Sequence, residues 1–306
     1  MALQGNLGIE RMCHLAEVSR SGFYRCWRRQ DRPAEGMAVR AAVQEIALVH
    51  RRNYGYRRIT AELRRRGMVV NHKRVAKLMR SDNLLALRKR KFVVTTDSRH
   101  QEQIFYNLAR QIKPNGLNQL WIADITYIRL REEFVYLAVV LDAFSRRVVG
   151  WNLERQCQSR LAVTALQNAL AARNPNPGLV HHSDRGIQYA CPEYLRVLKQ
   201  HEILPSMSRA GCPYDNAACE SFMSTLKREE IQAGRYRDLE DLTTHVREFI
   251  EQYYNPLRLH SALGYRSPEE YERERPEAAV AEGGHGATPA TLSFFRHEEI
   301  YRSDVP

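Results

Sequence analysis

The chain has 306 residues, 43% of them hydrophobic, enough for one large domain or two to three small ones with a sizeable core. Its 47 Lys and Arg against 35 Asp and Glu leave a net charge of +12, which points to a polyanionic partner, nucleic acid ahead of a membrane surface. The longest apolar run, FVYLAVVL at 134–141, is too short to cross a bilayer and no signal pattern opens the chain, so a cytoplasmic, non-membrane protein is expected.

Six cysteines (Cys13, Cys26, Cys157, Cys191, Cys212, Cys219) occur without a CxxC pair, and no histidine pair at finger-like spacing completes a zinc site. Free thiols are expected.

Residues 8–30 predict two short helices around VSRSG. Met12, Leu15 and Ala16 precede the turn, Phe23, Tyr24 and Trp27 follow it at three and four spacing, and Ser19 or Ser21 is available as a cap. This gives residues 1–36 the shape of a small helix-turn-helix. Three further helices, AVRAAVQEIALVHRR, YRRITAELRRRG and NHKRVAKLMRSDN, make a second unit over 37–92, with Gly67 as a stop and Asn71 as an N-cap.

That unit is lopsided in charge. From Arg57 to Lys91 stand thirteen basic residues (Arg57, Arg58, Arg64, Arg65, Arg66, Lys73, Arg74, Lys77, Arg80, Arg88, Lys89, Arg90, Lys91) against Glu62 and Asp82. On the helix after Asn71, Lys73, Arg74, Lys77 and Arg80 share one side while Val75, Leu78 and Met79 can face inward. Such a helix can lie along a DNA groove held by phosphate contacts, and an ordinary solvated face is the plainer alternative.

Residues 93–116 lack periodicity and are expected to be a basic linker. From 117 the pattern becomes strands: LWIADITYIRL, FVYLAVVLDAF and RRVVGWNLE as an antiparallel meander, then the helix SRLAVTALQNALAAR and a short fourth strand in GLVHHSD. A helix through PEYLRVLKQHE, a strand-like ILPSMS, and the helices NAACESFMSTLKREEI and LEDLTTHVREFIEQYYN follow. The fold class expected for 117–275 is α/β, a mixed sheet with helices on its faces, behind small all-α units. The Ala- and Gly-rich tail, 276–306, is expected to be disordered.

Asp124 interrupts the apolar first strand, where a charge is expensive unless paired or bound to metal. Asp184 stands where the fourth strand runs out, a place where sites assemble in α/β sheets, and Glu220 lies in a later helix. Asp, Asp and Glu are the hard oxygen ligands that a pair of divalent metals about 3.5–4 Å apart requires. Taken singly, each also fits a plainer role: Asp124 in an ion pair, Asp184 bound to Arg185, Glu220 an exposed helix residue.

The wording around these residues is familiar. Asp124, Asp184 and Glu220, with 59 and 35 residues between them, resemble the DDE triad of retroviral-integrase-like transposases. VSRSGFYRCWRR, YGYRRITAELRRRG, WIADITYI, LDAFSRRVVGW, HHSDRGIQYA, SMSRAGCPYDNAACESFMSTLKRE and YYNPLRLHSALGYRSPEEY resemble, in order, the second-frame (orfB-type) transposases of the third insertion-sequence family, over about residues 8–275. Two histidines, His181 and His182, precede SDRG where one is usual.

The resemblance implies a ribonuclease-H-like core, two magnesium ions for which manganese can substitute, and DNA strand cleavage followed by strand transfer. It implies Asp124, Asp184 and Glu220 as metal ligands, with Asp124 bridging. Lys227, seven residues after Glu220 on the same helix face, matches a position that approaches DNA, and Arg258 and His260 match a downstream element near the DNA. Asp142 and Asp215 match the pattern as structural residues, one at a strand end and one at a helix N-cap. The implied partners are the element ends and target DNA, a first-frame protein or a frameshift fusion with it, and further copies of the chain. The implied place is the bacterial cytoplasm, at the nucleoid. A nuclease on the same fold, or a DNA-binding regulator with an inactive core, would carry a similar basic surface; strand-joined products distinguish the transposase.

Overall fold

The computed structural model describes residues 9–22, 24, 33–85, 105–131, 133–208, 216–232 and 234–274. The chain divides into two compact units, Met1–Arg88 and Lys89–Pro306. Among the described residues no helix is long and apolar enough to cross a membrane.

In the first unit, α1 (Ile9–Leu15) leads to the VSRSG turn, where Ser19 Oγ accepts from the Gly22 N–H at 3.1 Å and so caps the helical residues 20–22. The rest of that predicted second helix, with Phe23 and Trp27, lies outside the described residues. Three longer helices follow: α2 (Pro33–Val49), α3 (Tyr56–Arg65) and α4 (His72–Ser81). Val43, Ile46, Ile59, Leu63, Val75 and Met79 are buried between them. Gly67, at φ +77, ends α3 in the left-handed turn that glycine adopts without strain, and the Asn71 side chain accepts from the Lys73 N–H at 2.8 Å to start α4. Arg40 of α2 holds Asp82 beyond α4 through Nε at 2.8 Å, which ties the first helix of the trio to the end of the last.

In the second unit a five-stranded sheet has the order β3-β2-β1-β4-β5. β1 (Leu120–Arg129), β2 (Phe134–Asp142) and β3 (Val148–Glu154) form the antiparallel meander, while β4 (Val180–Ser183) and β5 (Leu204–Met207) join parallel to β1 and to each other. α5 (Ser159–Arg173) makes the crossover from β3 to β4. Strand alternation divides the side chains between two cores. Leu120, Ile122 and Ile128 of β1 pack with Leu137, Val139, Val180, Phe222 and Phe249 on one face; Trp121 and Ala123 pack with Ala138, Val140, Leu161 and Leu166 on the other. α6 (Ile187–Ala190) and α7 (Pro192–Gln200) line the second face with α5. α8 (Ala217–Leu226) and α9 (Leu239–Arg247) line the first. α10 (Pro268–Glu274) closes the described chain.

Two boundaries differ from expectation. The stretch read as linker to residue 116 joins the sheet unit earlier: Phe105 and Leu108 are buried, one in each core, and the Leu108 N–H donates to Ser206 Oγ at 2.9 Å. Isolated apolar anchors without a period give no sequence signal. The two predicted C-terminal helices widen into π turns at Lys227–Ile231 and Glu248–Tyr254, where the hydrogen bond lengthens by one residue.

Gly150 on β3 lies against α5 so closely that a Cβ would fall 2.3 Å from the Ala165 carbonyl oxygen and 2.6 Å from the Ala169 nitrogen. Backbone cannot yield as a side chain can. Gly150→Val is expected to cost at least about 1–3 kcal/mol, which lowers the melting temperature by roughly 2–4 °C per kcal/mol. An unchanged thermal melt would show that the approach of α5 to β3 is wrong.

Candidate active site

Asp124 is the fifth residue of β1 and shares a sheet face with Leu120 and Ile122. β4 pairs with β1 as Leu120↔Val180, Trp121↔His181 and Ile122↔His182. The ladder ends there; Asp184 follows directly after β4, and its negative charge is felt at Asp124. Each carboxylate takes one local backbone bond: Asp124 Oδ1 from the Ile125 N–H and Asp184 Oδ1 from the Gly186 N–H, both at 2.9 Å. A Cβ on Gly186 would stand 2.9 Å from Asp184 Oδ1, so a larger residue there would displace the carboxylate.

α8 packs over that face, with Cys219, Phe222 and Leu226 buried and Glu220, in its first turn, exposed. Lys227 follows seven residues later in continuing helical backbone, so it keeps the side of Glu220. Its ammonium lies 5.1 Å from the centre of the Tyr127 ring.

The electrostatics draw these groups together. Burial, then the negative charge of Asp184, raise the Asp124 pKa from 3.8 to about 7; Glu220 adds to the rise, while the Ile125 N–H and Lys227 oppose it. Burial lowers the Lys227 pKa, and Asp124 counters part of that fall. The Cys219 thiol and the Tyr189 hydroxyl are pushed well up, first by burial and then by the same carboxylates. All three donors are hard oxygens, and a carboxylate raised by a neighbouring one is an arrangement that a cation relieves, so the donor set fits a hard divalent cation in its chemistry. Among the described residues, no three His, Cys, Asp or Glu side chains are grouped so that they could hold an ion as they stand.

Other residues singled out in the sequence have visible partners. His182 bridges Ser206 Oγ and Ser208 Oγ, each at 2.9 Å, and His181 Nε2 meets the Tyr194 hydroxyl at 2.9 Å with its pKa lowered to about 3 by burial and then by His182. Arg185 Nε donates to the Ser208 carbonyl at 2.9 Å. Asp142, fully buried at the end of β2, accepts from the N–H groups of Asn118, Phe144 and Ser145 at 2.8, 2.9 and 3.0 Å. Asp215 lies outside the described residues; the N-cap of α8 is Asn216, whose side chain makes no cap bond.

Arg258 requires a correction. Expected near DNA, it is 1% exposed and grips Glu229 with two hydrogen bonds, so its charge is spent inside the protein. Sequence reading passed over Glu229, although it falls three residues after Leu226 and seven after Phe222, on the buried stripe of its helix. A carboxylate there demands a cation, and that demand was the available signal. His260 is partly exposed and packs edge-on against Tyr254 at 4.9 Å.

In the first unit, Lys73, Arg74, Lys77 and Arg80 are all exposed on α4, and Val75 and Met79 are buried behind them. Arg57 is exposed and Arg58 partly so, each with its guanidinium 5.6 Å from a tyrosine ring, Tyr56 and Tyr54 respectively. Arg88, Lys89, Arg90 and Lys91 lie outside the described residues.

Residues 114–213 match the family Integrase core domain, residues 201–268 a second Integrase core domain family, and residues 36–92 the HTH-like domain. The transposase InsF for insertion sequence IS3A of Escherichia coli (strain K12) is 38% identical over 276 residues, covering 89% of this chain and 96% of that protein. The insertion element IS600 uncharacterized 31 kDa protein of Shigella sonnei is 36% identical over 273 residues, covering 88% of this chain and all of that protein. Among solved structures, a chain of the simian T-cell lymphotropic virus intasome in complex with PP2A regulatory subunit B56 gamma has a TM-score of 0.48 at 15% identity, covering 81% of this chain and 80% of that one. The HTLV-2 integrase catalytic core domain in complex with magnesium has a TM-score of 0.40 at 15% identity, covering 52% and 99%.

The raised pKa of Asp124 has a sign in stability. Below about pH 4 both folded and unfolded chains hold the proton; as pH rises toward 7 the unfolded chain releases it first, so the folded state loses stability across that window. With metal removed by chelator, Asp124→Asn is expected to melt higher than wild type at about pH 8, by roughly 1–3 kcal/mol after discount for water access, with a smaller gap at about pH 5. Magnesium should raise the melting temperature of wild type more than that of the variant. A variant that melts lower at both pH values would contradict the repulsion.

Proposed function

The chain belongs to the insertion-sequence transposases of the kind represented by InsF, and from that premise we propose that it cleaves and joins DNA strands at a site formed by Asp124, Asp184 and Glu220. The observation that supports this reading is the pKa of Asp124, raised to about 7 by burial and then by the negative charges of Asp184 and Glu220, which come from the end of the neighbouring parallel strand and from the helix packed on the sheet. The three carboxylates would hold divalent magnesium, two ions with manganese as substitute, which supply positive charge to attacking and leaving oxygens when bound.

The reaction has two parts. A water attacks the phosphodiester at the element's end and the bond to the 3′ oxygen breaks; the released 3′ hydroxyl then attacks a second phosphate, and another 3′ oxygen leaves. Lys227, on the same side of its helix as Glu220, offers a cation to the DNA near the reacting phosphate. In the first unit, Arg57, Arg58, Lys73, Arg74, Lys77 and Arg80 contact phosphates along a DNA groove, joined by Arg88, Lys89, Arg90 and Lys91 on the following segment. His260, partly exposed in the second unit, contributes a further contact to DNA. The chain works in the cytoplasm, as a multimer that brings two element ends together, with a first-frame partner that helps to recognise those ends.

The test uses DNA carrying the element ends, magnesium, and the upstream frame's product. Asp184→Asn should lose cleavage and joining while binding DNA as wild type does; cleavage retained by Asp184→Asn would sink the assignment. Lys77→Ala should keep the chemistry, weaken binding across sequences and lower the salt slope of log K by about 1. An unchanged salt slope would take α4 off the DNA.

A further inference from the structure

Glu229 is 1% exposed in the middle of the π turn that follows α8. Arg258 reaches it from beyond the second π turn and meets both carboxylate oxygens, Nε to Oε2 at 2.9 Å and Nη2 to Oε1 at 2.7 Å. The Arg258 and Glu229 side chains are only 2% and 0% exposed. Arg228 adds a bond to Oε1 at 2.9 Å. The Arg258 guanidinium also lies 5.9 Å from the ring of Tyr254, which closes the second π turn and packs edge-on against Phe222 of α8 at 4.8 Å. One guanidinium therefore ties both π turns to the helix that carries Glu220.

Stability alone gives a weak reason for such a pair. A buried ion pair is commonly no more stabilising than apolar side chains of similar volume, because both charges must leave water. The two-pronged contact does supply orientation: parallel bonds fix distance and plane together. The π turn is a rare departure from the α-helix, found mostly as a single turn and often at functional sites. Lys227 begins that turn, two residues before Glu229, and its carbonyl accepts the turn's closing bond from the Gln232 N–H at 2.9 Å. Its ammonium rests against Tyr127 in the field of Asp124.

We propose that the Glu229–Arg258 pair is a positioning device, which holds the π turn so that Lys227 is presented beside the carboxylate site. Arg258 thus serves the DNA reaction from within the protein rather than by contact with phosphate. The inference rests on the reading of Lys227 as the cation that faces DNA.

The full-length chain is tested as Glu229→Leu with Arg258→Met, an apolar pair in place of the ionic one, in wild-type and Lys227→Ala backgrounds. Melting temperature, DNA dissociation constant and single-turnover cleavage of element-end DNA are measured with the upstream product present. The expected result is a melting temperature near wild type and a cleavage rate on the order of tenfold lower at saturating DNA. In the Lys227→Ala background the same pair exchange should cause no further loss, because the residue it acts through is already gone. Equal losses in the two backgrounds, or no loss in either, would overturn the positioning role. Should Lys227→Ala alone leave cleavage and binding unchanged, the reading beneath the proposal falls and the proposal falls with it. If the apolar pair does not fold, Arg258→Lys, which keeps the charge and loses the fork, is held to the same dependence on Lys227.

Discussion

The parallel pairing of β1 with β4 is the constraint around which the second unit is arranged. An antiparallel neighbour can be reached by a tight turn, as β2 and β3 are, but a parallel one requires the chain to cross the sheet and return. α5 makes that return, and it lies close enough to β3 only because Gly150 presents no side chain. With β4 in register, the chain leaves the strand at Asp184, close enough for its charge to raise the pKa of Asp124. The two carboxylates repel each other, while Asp124 accepts from the Ile125 N–H and Asp184 from the Gly186 N–H. The sheet therefore holds an unfavourable charge arrangement at its centre, sustained by the apolar packing on both its faces.

Three sheltered carboxylates in this unit meet the same cost in different ways. Asp142 takes three backbone donors, Phe144 and Ser145 in the turn it organises and Asn118 ahead of β1, which offset part of the rise that burial causes in its pKa. Glu229 is satisfied by a guanidinium, and its pKa falls below the ordinary value although burial alone would raise it. Asp124 has a single backbone donor, Ile125, and burial together with the negative charges of Asp184 and Glu220 lifts its pKa to about 7. Burial raises Asp142 as well; what sets Asp124 apart is that neighbouring negative charge, which marks it as a candidate reactive acid.

The fold was legible where short-range chemistry decides it. Apolar runs joined by short links set β1 to β3, Asn71 and Gly67 marked helix ends, and Asp124 announced itself as a charge in an apolar strand. What the sequence concealed depends on distant partners. Leu108 joins the core through a serine 98 residues away, and nothing in its neighbourhood says so. Arg258 looks like any surface arginine until Glu229, 29 residues earlier, is found beneath it. The π turns were equally hidden, since a 3.6-residue period and a locally wider one bury nearly the same stripe.

That stripe carries a more general reading. Cys219, Phe222, Leu226 and Glu229 fall on one side of a helix, and the last is an acid where a leucine would pack at lower cost. An isolated buried carboxylate would become protonated or disrupt the helix; paired with a fork of N–H donors it stays ionised and fixes the angle at which the next segment leaves. An apolar contact tolerates sliding by a fraction of an ångström, whereas two parallel charged bonds do not. Where a helix carries one carboxylate of the proposed site and a lysine two turns later, directional contacts of this kind belong at its far end, and the near end can be left to ordinary packing.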